Sequence, residues 1–181
     1  MPGRLYGGTF MPKSRVLRLA ACASALALVV SCGRAPAVDS AAVGDEVAAN
    51  MTTIVAAFVA RDADKAVSFD APDFVGMLHG TDNVIGQEGD RALTRPQVAD
   101  PAMKFSVSDP VIDVAASGDL AVWRANYSYS YTDPATKQPK TETGNWIVGW
   151  KRQSDGALKE AWSVVSDTPP ATTPAAASPP A

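Results

Sequence analysis

The sequence contains one histidine, His79, and its type is the one best suited to acid–base catalysis. An imidazole titrates near neutral pH and can act as a general base. No carboxylate partner of His79 can be identified from the sequence. An exposed histidine at the start of a loop beginning with Gly80 is therefore the competing interpretation, and His79 is a candidate catalytic residue only.

Neither a metal site nor a nucleic-acid site is predicted. One histidine and no free cysteine leave only carboxylates as metal ligands. Residues 1–31 carry four basic and no acidic side chains, so the rest of the chain has 12 basic against 19 acidic residues, a net charge of −7. Nucleic-acid binding needs clustered Lys and Arg, which this balance argues against. No cofactor is predicted.

The first 31 residues have the pattern of an export signal. An apolar stretch at 19–31 follows Lys13, Arg15 and Arg18, and such a basic region before a short apolar region is typical of a secretory signal peptide. The stretch is too short to cross a bilayer, which takes about 20 residues. An ordinary signal peptide followed by a chance cysteine and an uncleaved anchor are the two alternatives. Met11 opens a more typical signal than Met1, so the start codon stays open.

Cys32 is predicted to carry lipid. Val29-Val30-Ser31-Cys32 resembles the lipobox of bacterial lipoproteins, in which the cysteine is acylated and becomes the first mature residue. Cys22 leaves with the signal, so no disulfide can form afterwards. Acylation would hold the protein to a membrane. By resemblance to the Gram-negative sorting rule, Gly33 favours the periplasmic face of the outer membrane if the host is Gram-negative.

Composition divides the remaining chain into tether, domain and tail. Residues 32–42 are small and polar without periodicity, as expected of a flexible tether. Residues 168–181 consist of Thr, Pro, Ala and Ser, which cannot repay the entropy of ordering, so a disordered tail is predicted. The domain is predicted at 43–167, which is large enough for one core.

Periodicity predicts helices first and strands afterwards. Apolar residues recur every three or four positions from Val43 to Phe58, which indicates a helix. Asp62 suits the N-cap of a second helix through Phe69, and a weak third helix is predicted at 90–99, despite Pro96. The region from Gly80 to Gly89 is predicted to be a loop. The predicted strands are 74–79, 105–115, 120–132, 141–151 and 158–165. This order predicts an α+β fold with helices on one face of a curved sheet.

Several motifs resemble those of the SnoaL-like, or nuclear-transport-factor-2-like, superfamily, which also holds the ketosteroid isomerases. The matching segments are Ile54–Asp62, Asp70–Phe74, Ala116–Ala121, Tyr131–Pro134, Thr143-Gly144 and Trp150–Gly156. The resemblance covers about residues 43–167. It implies a cone-shaped fold with two or three helices packed on a curved, mainly antiparallel sheet. Turn and packing motifs of this kind specify fold better than function.

The resemblance does not carry over isomerase chemistry. It aligns the oxyanion-hole tyrosine of the isomerases with Ile54 and their catalytic base with the neighbourhood of Leu78, and both residues are apolar. A carboxylate common in the last strand of the family aligns with Ser163. In this fold His79 would lie where the first strand meets the pocket mouth.

Two functions remain open at this point. The preferred one is a membrane-tethered, non-catalytic domain that binds a small apolar ligand or a protein partner. The alternative is an isomerase, cyclase or dehydratase in which His79 is the general base. The residues predicted to line the pocket are Ile54, Phe58, His79, Asn126, Asn145, Trp146 and Trp162. The aromatic residues could instead cover the sheet exterior or form a homodimer contact through the sheet.

Overall fold

The computed structural model describes residues 39–168, which contain three helices and six strands. The signal at 1–31, the lipidation of Cys32 and most of the predicted tether and tail lie outside the described residues. The elements are α1 (Ser40–Val59), α2 (Ala63–Ala66), β1 (Asp70–Leu78), β2 (Val84–Ile85), α3 (Gly86–Ala99), β3 (Lys104–Val114), β4 (Leu120–Thr132), β5 (Pro139–Arg152) and β6 (Leu158–Asp167).

Helix α1 begins three residues before its apolar stripe because Asp39 caps it. The Asp39 carboxylate accepts hydrogen bonds from the backbone N–H groups of Ala41 and Ala42 at 3.0 and 3.2 Å. By length and composition alone, this helix could cross a membrane. Its stripe, however, packs into the main core with the sheet, as expected for a core helix. The buried residues of α1 are Val43, Val47, Met51, Ile54 and Ala57.

The other two helices differ in how well the sequence predicts them. Asp62 caps α2 as predicted, with its carboxylate accepting from the Lys65 N–H at 2.9 Å. The helix is a single turn, shorter than predicted. Helix α3 begins at Gly86 and continues through the exposed Pro96. The loop predicted from Gly80 to Gly89 is therefore wrong in its second half, where β2 and the first turn of α3 lie.

The six strands form one sheet in the order β2-β1-β6-β5-β4-β3. All neighbouring pairs are antiparallel except β1 and β6, which run parallel. Strand β3 is one strand across Pro110, with a register shift there, and Asp109 adopts a positive φ of 54°. The predicted α+β architecture, helices on a curved and mainly antiparallel sheet, is confirmed.

Strict alternation gives the sheet an inner and an outer face. We call inner the face that packs against α1; it carries Trp123, Ala125 and Tyr127 of β4 and Trp146, Val148 and Trp150 of β5. The intervening residues of β4 and β5 point to the outer face, since successive side chains of a strand alternate. There a Cβ at Gly149 would lie 2.0 Å from the Trp162 ring, so the indole packs directly on the glycine backbone.

Strand β6 contains one extra residue that changes which side chains face inward. Gly149 of β5 pairs with Trp162, but the next residue, Trp150, pairs with Glu160, so Ala161 is unpaired in a β-bulge. Alternation restarts after the bulge. Glu160 therefore faces inward before it and Ser163 faces inward after it, while Trp162 faces outward.

Candidate functional site

The inner face of the sheet and the helices enclose a cavity of about 230 Å³. Its walls are mainly apolar and aromatic, and its exposed rim includes His79 and Thr81. The apolar and aromatic lining residues are Ile54, Phe58, Ala66, Phe74, Leu78, Leu93, Phe105, Tyr127, Tyr129, Trp146 and Val165. A concave apolar site with a few polar groups is the usual form of a small-molecule pocket.

Four of the predicted pocket residues lie around this cavity: Ile54, Phe58, His79 and Trp146. Ile54 and Phe58 come from α1, one turn apart. Trp146 comes from β5, and its indole N–H donates to the Ser163 hydroxyl at 2.7 Å. The structure thus brings together residues separated by some 90 positions in sequence. Their contact with a ligand stays a prediction.

Asn126, Asn145 and Trp162 do not line the cavity, so their predicted placement there is wrong. Asn126 and Asn145 oppose each other on β4 and β5 and point to the outer face, because their strand neighbours Tyr127 and Trp146 point inward. Asn126 donates from Nδ2 to Asp109 at 3.1 Å and borders a separate outer depression. Trp162 is outward because of the bulge in β6.

The cavity mouth supplies the carboxylate partner of His79 that the sequence did not reveal. Glu142 Oε2 lies 3.6 Å from His79 Nε2, and Asp167 Oδ1 lies 3.9 Å from Nδ1. Glu142 also accepts a hydrogen bond from the Tyr131 hydroxyl at 2.5 Å and one from Lys140 Nζ at 3.2 Å. These groups come from β5, β6 and β4, and no local sequence motif connects them.

Glu142 is held in place more firmly than His79. The carboxylate is 19% exposed and has two donors, whereas the imidazole is 36% exposed and contacts carboxylates beyond hydrogen-bond distance. The hydrogen bond to Glu142 raises the pKa of Tyr131, so this hydroxyl stays protonated and keeps donating. The mouth can therefore hold a protonated imidazole as an ion pair, or orient a neutral one.

Three carboxyl groups meet at the inner end of the cavity, which we call the acid floor: Asp70, Asp90 and Glu160. Asp70 and Glu160 are partners across β1 and β6 and are each only 4% exposed. Burial and the neighbouring Asp90 raise the pKa of Asp70 to about 8. Burial likewise raises the pKa of Asp90, and raises the pKa of Glu160 well above its ordinary value. Buried carboxyls escape the cost of an isolated charge by keeping their protons.

The carboxyls of Asp70 and Asp90 are close enough for each to act on the pKa of the other. Asp70 Oδ2 is buried and has no hydrogen-bond partner within residues 39–168, so the protonated form of Asp70 avoids leaving an unpaired charge in the interior. Thr94 donates to Asp90 at 3.5 Å. Asp90 and Glu160 line the cavity, whereas Asp70 lies behind them.

The basic residues nearest the acid floor are bonded elsewhere. Lys159 Nζ donates to the backbone carbonyl of Ser68 at 3.1 Å. Arg91 pairs with Asp64 at 2.8 Å and with Glu88. Both cations lower the pKa of Asp70, but less than burial raises it. Asp70 is therefore mostly protonated near pH 7, and burial favours the protonated forms of Asp90 and Glu160 as well.

Sequence reasoning missed the acid floor, although two signals pointed to it. Glu160 lies in β6 two residues after the apolar Leu158. Since residues i and i+2 of a strand share a face, this pattern predicts a carboxyl on the buried face. Asp90, Leu93, Thr94 and Gln97 have the i, i+3, i+4, i+7 spacing of one helix face, and all line the cavity. Asp70 carried no signal, since it lay in a segment predicted to end a helix.

Asp70 should make the folded state less stable as the pH rises. Its pKa is raised in the folded state from 3.8 to about 8, so the folded chain holds a proton that the unfolded chain releases. The stabilisation is complete below about pH 4 and is lost as the pH approaches 8, at up to about 1.4 kcal/mol per pH unit. Asp70→Asn should reduce this slope in urea unfolding between pH 5 and about 8.

The exposed Asp45→Asn should keep the wild-type slope, because Asp45 lies on α1 away from the acid floor. Asp70 acts on the pKa values of Asp90 and Glu160, so the change of slope in Asp70→Asn reports the three coupled carboxyls together, and Asp45→Asn leaves all three in place. Equal slopes for the wild type and Asp70→Asn would show that Asp70 is not protonated in the folded chain.

Solved structures with the same architecture come from several bacteria. A nuclear-transport-factor-2-like superfamily protein of Salmonella enterica superposes with a TM-score of 0.60 at 12% identity, over 75% of this chain and 98% of that one. A protein of unknown function from Pseudomonas putida, described as NTF2-like, gives 0.58 at 20%, over 70% and 87%. A ketosteroid isomerase-like protein of Erwinia carotovora gives 0.56 at 17%, over 68% and 95%.

Sequence comparison adds no closer relative. No protein-family model matches the chain, and no curated protein matches it. Fold similarity at these identities establishes architecture and leaves chemistry to the site itself. The helices, the six-stranded curved sheet and the solved structures together show that this chain has the NTF2-like, ketosteroid isomerase-like α+β cone fold, as its sequence motifs indicated.

Proposed function

We propose that this protein is a membrane-tethered, extracytoplasmic domain that binds a small, largely apolar ligand in the cavity. The observation that carries the proposal is the cavity itself, about 230 Å³ of space enclosed by aromatic side chains. Well-packed interiors leave few voids larger than a water molecule. A space of this size between α1, α3 and the sheet is larger than ordinary packing leaves, and it therefore supports a ligand-binding role.

Unsatisfied polar atoms inside the cavity support ligand binding. Tyr127 lines it and is buried, and its hydroxyl meets no hydrogen-bond partner among residues 39–168. Leaving a buried hydroxyl unpaired costs roughly 1–3 kcal/mol. A ligand with a polar group near Tyr127 would recover that cost. Apolar walls would supply affinity and the few polar atoms would supply orientation.

A side chain that fills the cavity should abolish ligand binding. Val165→Phe enlarges an inward residue of β6 that lines the cavity beside Leu78 and Trp146. A ligand at 100 times its Kd stabilises a protein by about 2.7 kcal/mol. We expect compounds from a panel of small aromatic and aliphatic molecules to raise the melting temperature of the wild type but not of Val165→Phe.

Val164→Phe provides the matched control, because Val164 is the next residue and points to the outer face. It should respond to the same compounds as the wild type. Stabilisation that is equal in Val164→Phe and Val165→Phe would place binding outside the cavity and would refute the proposed site.

A second candidate function is catalysis by His79, in an enzyme of the isomerase, cyclase or dehydratase class. The observation in its favour is the contact between His79 Nε2 and Glu142 Oε2 at 3.6 Å on the cavity rim. A carboxylate beside an imidazole can orient the ring towards the proton that a general base abstracts. Against it, Ile54 and Leu78 occupy the positions where the isomerases carry their catalytic groups.

Catalysis by His79 predicts turnover that depends on this side chain. Apolar carbonyl compounds incubated with the wild type and with His79→Ala should be followed by mass spectrometry or exchange of their α-hydrogens with solvent deuterium. Loss of a general base typically costs 10²- to 10⁴-fold in rate, so the variant should fall by about that factor. Ligand stabilisation without any exchange in the wild type would exclude this candidate.

The membrane tether is proposed from the lipobox-like sequence ending at Cys32. A multiply acylated cysteine gives stable attachment, whereas a single chain gives only marginal binding. In a Gram-negative host the outer membrane is the proposed location, with the domain on its periplasmic face. A homodimer through the outer face of the sheet is also proposed, since Ile147, Trp162 and Val164 give this face an apolar, half-buried character.

Replacing Cys32 should release the protein from the membrane fraction. Cys32→Ser removes the thiol that receives lipid, so the mature mass should change and the chain should fractionate with soluble proteins. Cys22→Ser lies inside the predicted signal and should leave both properties as in the wild type. A Cys32→Ser protein that still sediments with membranes at unchanged mass would exclude the tether.

A further inference from the structure

The acid floor contains a carboxyl group that the protein itself leaves without a partner. Glu160 is only 4% exposed, and it lines the cavity. Burial, followed by the neighbouring Asp70 and Asp90, raises the pKa of its carboxyl well above the ordinary value, and no hydrogen bond within residues 39–168 offsets this. A buried acid aimed into a cavity without a protein partner has the position of a ligand-binding group.

The cavity also lacks positive charge to match its carboxyls. Its charged and titratable lining residues are Asp90, Glu142, Glu160 and His79, with no Lys or Arg among the described residues that line it. Lys159 and Arg91 approach the acid floor from outside and are engaged with Ser68, Asp64 and Glu88. A positively charged ligand could take the place of the protons on these carboxyls, whereas an anionic ligand would find no Lys or Arg to pair with among the described lining residues.

An ammonium group has the hydrogen-bonding capacity that the acid floor lacks. It offers three donors and no acceptor, and the carboxyls of Asp90 and Glu160 both face the cavity. Buried carboxylates are tolerated when they are paired with a cation and hydrogen-bonded. The bound ammonium would supply both, replacing the protons that neutralise the floor in the empty cavity.

The walls above the floor suit the remainder of such a ligand. Phe74 is buried and shares the inner end of the cavity with Ala66 and Thr94, while Phe58, Phe105 and Trp146 form a packed aromatic cluster further along. Aromatic faces attract cations and also bury apolar groups. The cavity volume of about 230 Å³ limits the ligand to roughly one ring or a short alkyl chain.

We propose that the ligand class of this cavity is a small apolar amine, with its ammonium group bound between Asp90 and Glu160 and its apolar part against the aromatic walls. The inference rests on the proposed ligand-binding function and names its ligand. No covalent step is involved, and the bound amine leaves unchanged.

Binding of an amine should release protons from the acid floor. Asp70 on β1, Asp90 and Arg91 on α3, and Lys159 and Glu160 on β6 are the titratable groups that meet there; His79 and Glu142 lie at the mouth. An ammonium favours the ionised carboxylates and so lowers their raised pKa values. Affinity should therefore increase from about pH 5 to 8, as long as the amine stays protonated.

The test compares 2-phenylethylamine with 2-phenylethanol, which has nearly the same shape and no charge, by isothermal titration calorimetry on the full-length chain. The amine should bind more tightly and with proton release, measured in buffers of different ionisation enthalpy. Glu160→Gln keeps the shape of the side chain and removes its charge. It should weaken amine binding at least about tenfold, because the ammonium loses a charge-assisted hydrogen bond, and leave the binding of the alcohol unaffected.

Asp45→Asn removes one exposed carboxylate and is the matched control, expected to bind both compounds as the wild type does. Circular dichroism and alcohol binding report whether Glu160→Gln folds; Asp90→Asn is the second variant if it does not. Equal affinity for amine and alcohol, or equal amine binding in the wild type and the folded floor variants, would overturn the inference and leave the apolar binding site standing. Failure of both compounds, together with no response of the wild type to the compound panel, would instead count against the binding function.

Discussion

One extra residue in β6 decides what the interior of this molecule contains. Without the bulge at Ala161, strict alternation would place Glu160 and Ser163 on opposite faces of the sheet. With it, the first contributes a carboxyl to the acid floor and the second accepts the Trp146 indole N–H. The cavity wall, the orientation of an aromatic side chain and the burial of a charge-bearing group thus depend on a single local irregularity of the backbone.

The two polar ends of the cavity have different physical characters. The mouth is partly solvated, and its Glu142 carboxylate is held by the Tyr131 hydroxyl and by Lys140. The inner end is buried, and burial is the largest influence on the pKa values of Asp70 and Glu160. Buried acids lower the stability of a fold above their ordinary pKa values, and binding sites commonly retain such unfavourable groups. The arrangement favours a ligand that is apolar along most of its length and polar at its deepest point.

Much of the fold was predictable because it is encoded locally. The stripe of α1, the Asp62 cap and the alternation of β4 follow from the periods of helices and strands, and the turn motifs indicated the superfamily. Asn126, Asn145 and Trp162 were misplaced for two reasons. Alternation along β4 places Trp123 and Asn126 on opposite faces but does not indicate which face points inward, and the β6 bulge has no sequence signature. The pairing of Asp70 with Glu160 and of His79 with Glu142 arises from sheet topology, between residues far apart in the chain.

The end of β6 has a practical consequence for anyone who labels this protein. Asp167 lies 3.9 Å from His79 at the cavity mouth, and the following residue, Thr168, donates its N–H to the Thr143 carbonyl at 2.7 Å. The chain therefore leaves the domain at the rim of the cavity. A fluorophore attached in place of Asp167 would sit at the entrance and could report access to it, whereas one at Thr168 would lie at the separate outer depression that Thr168 lines.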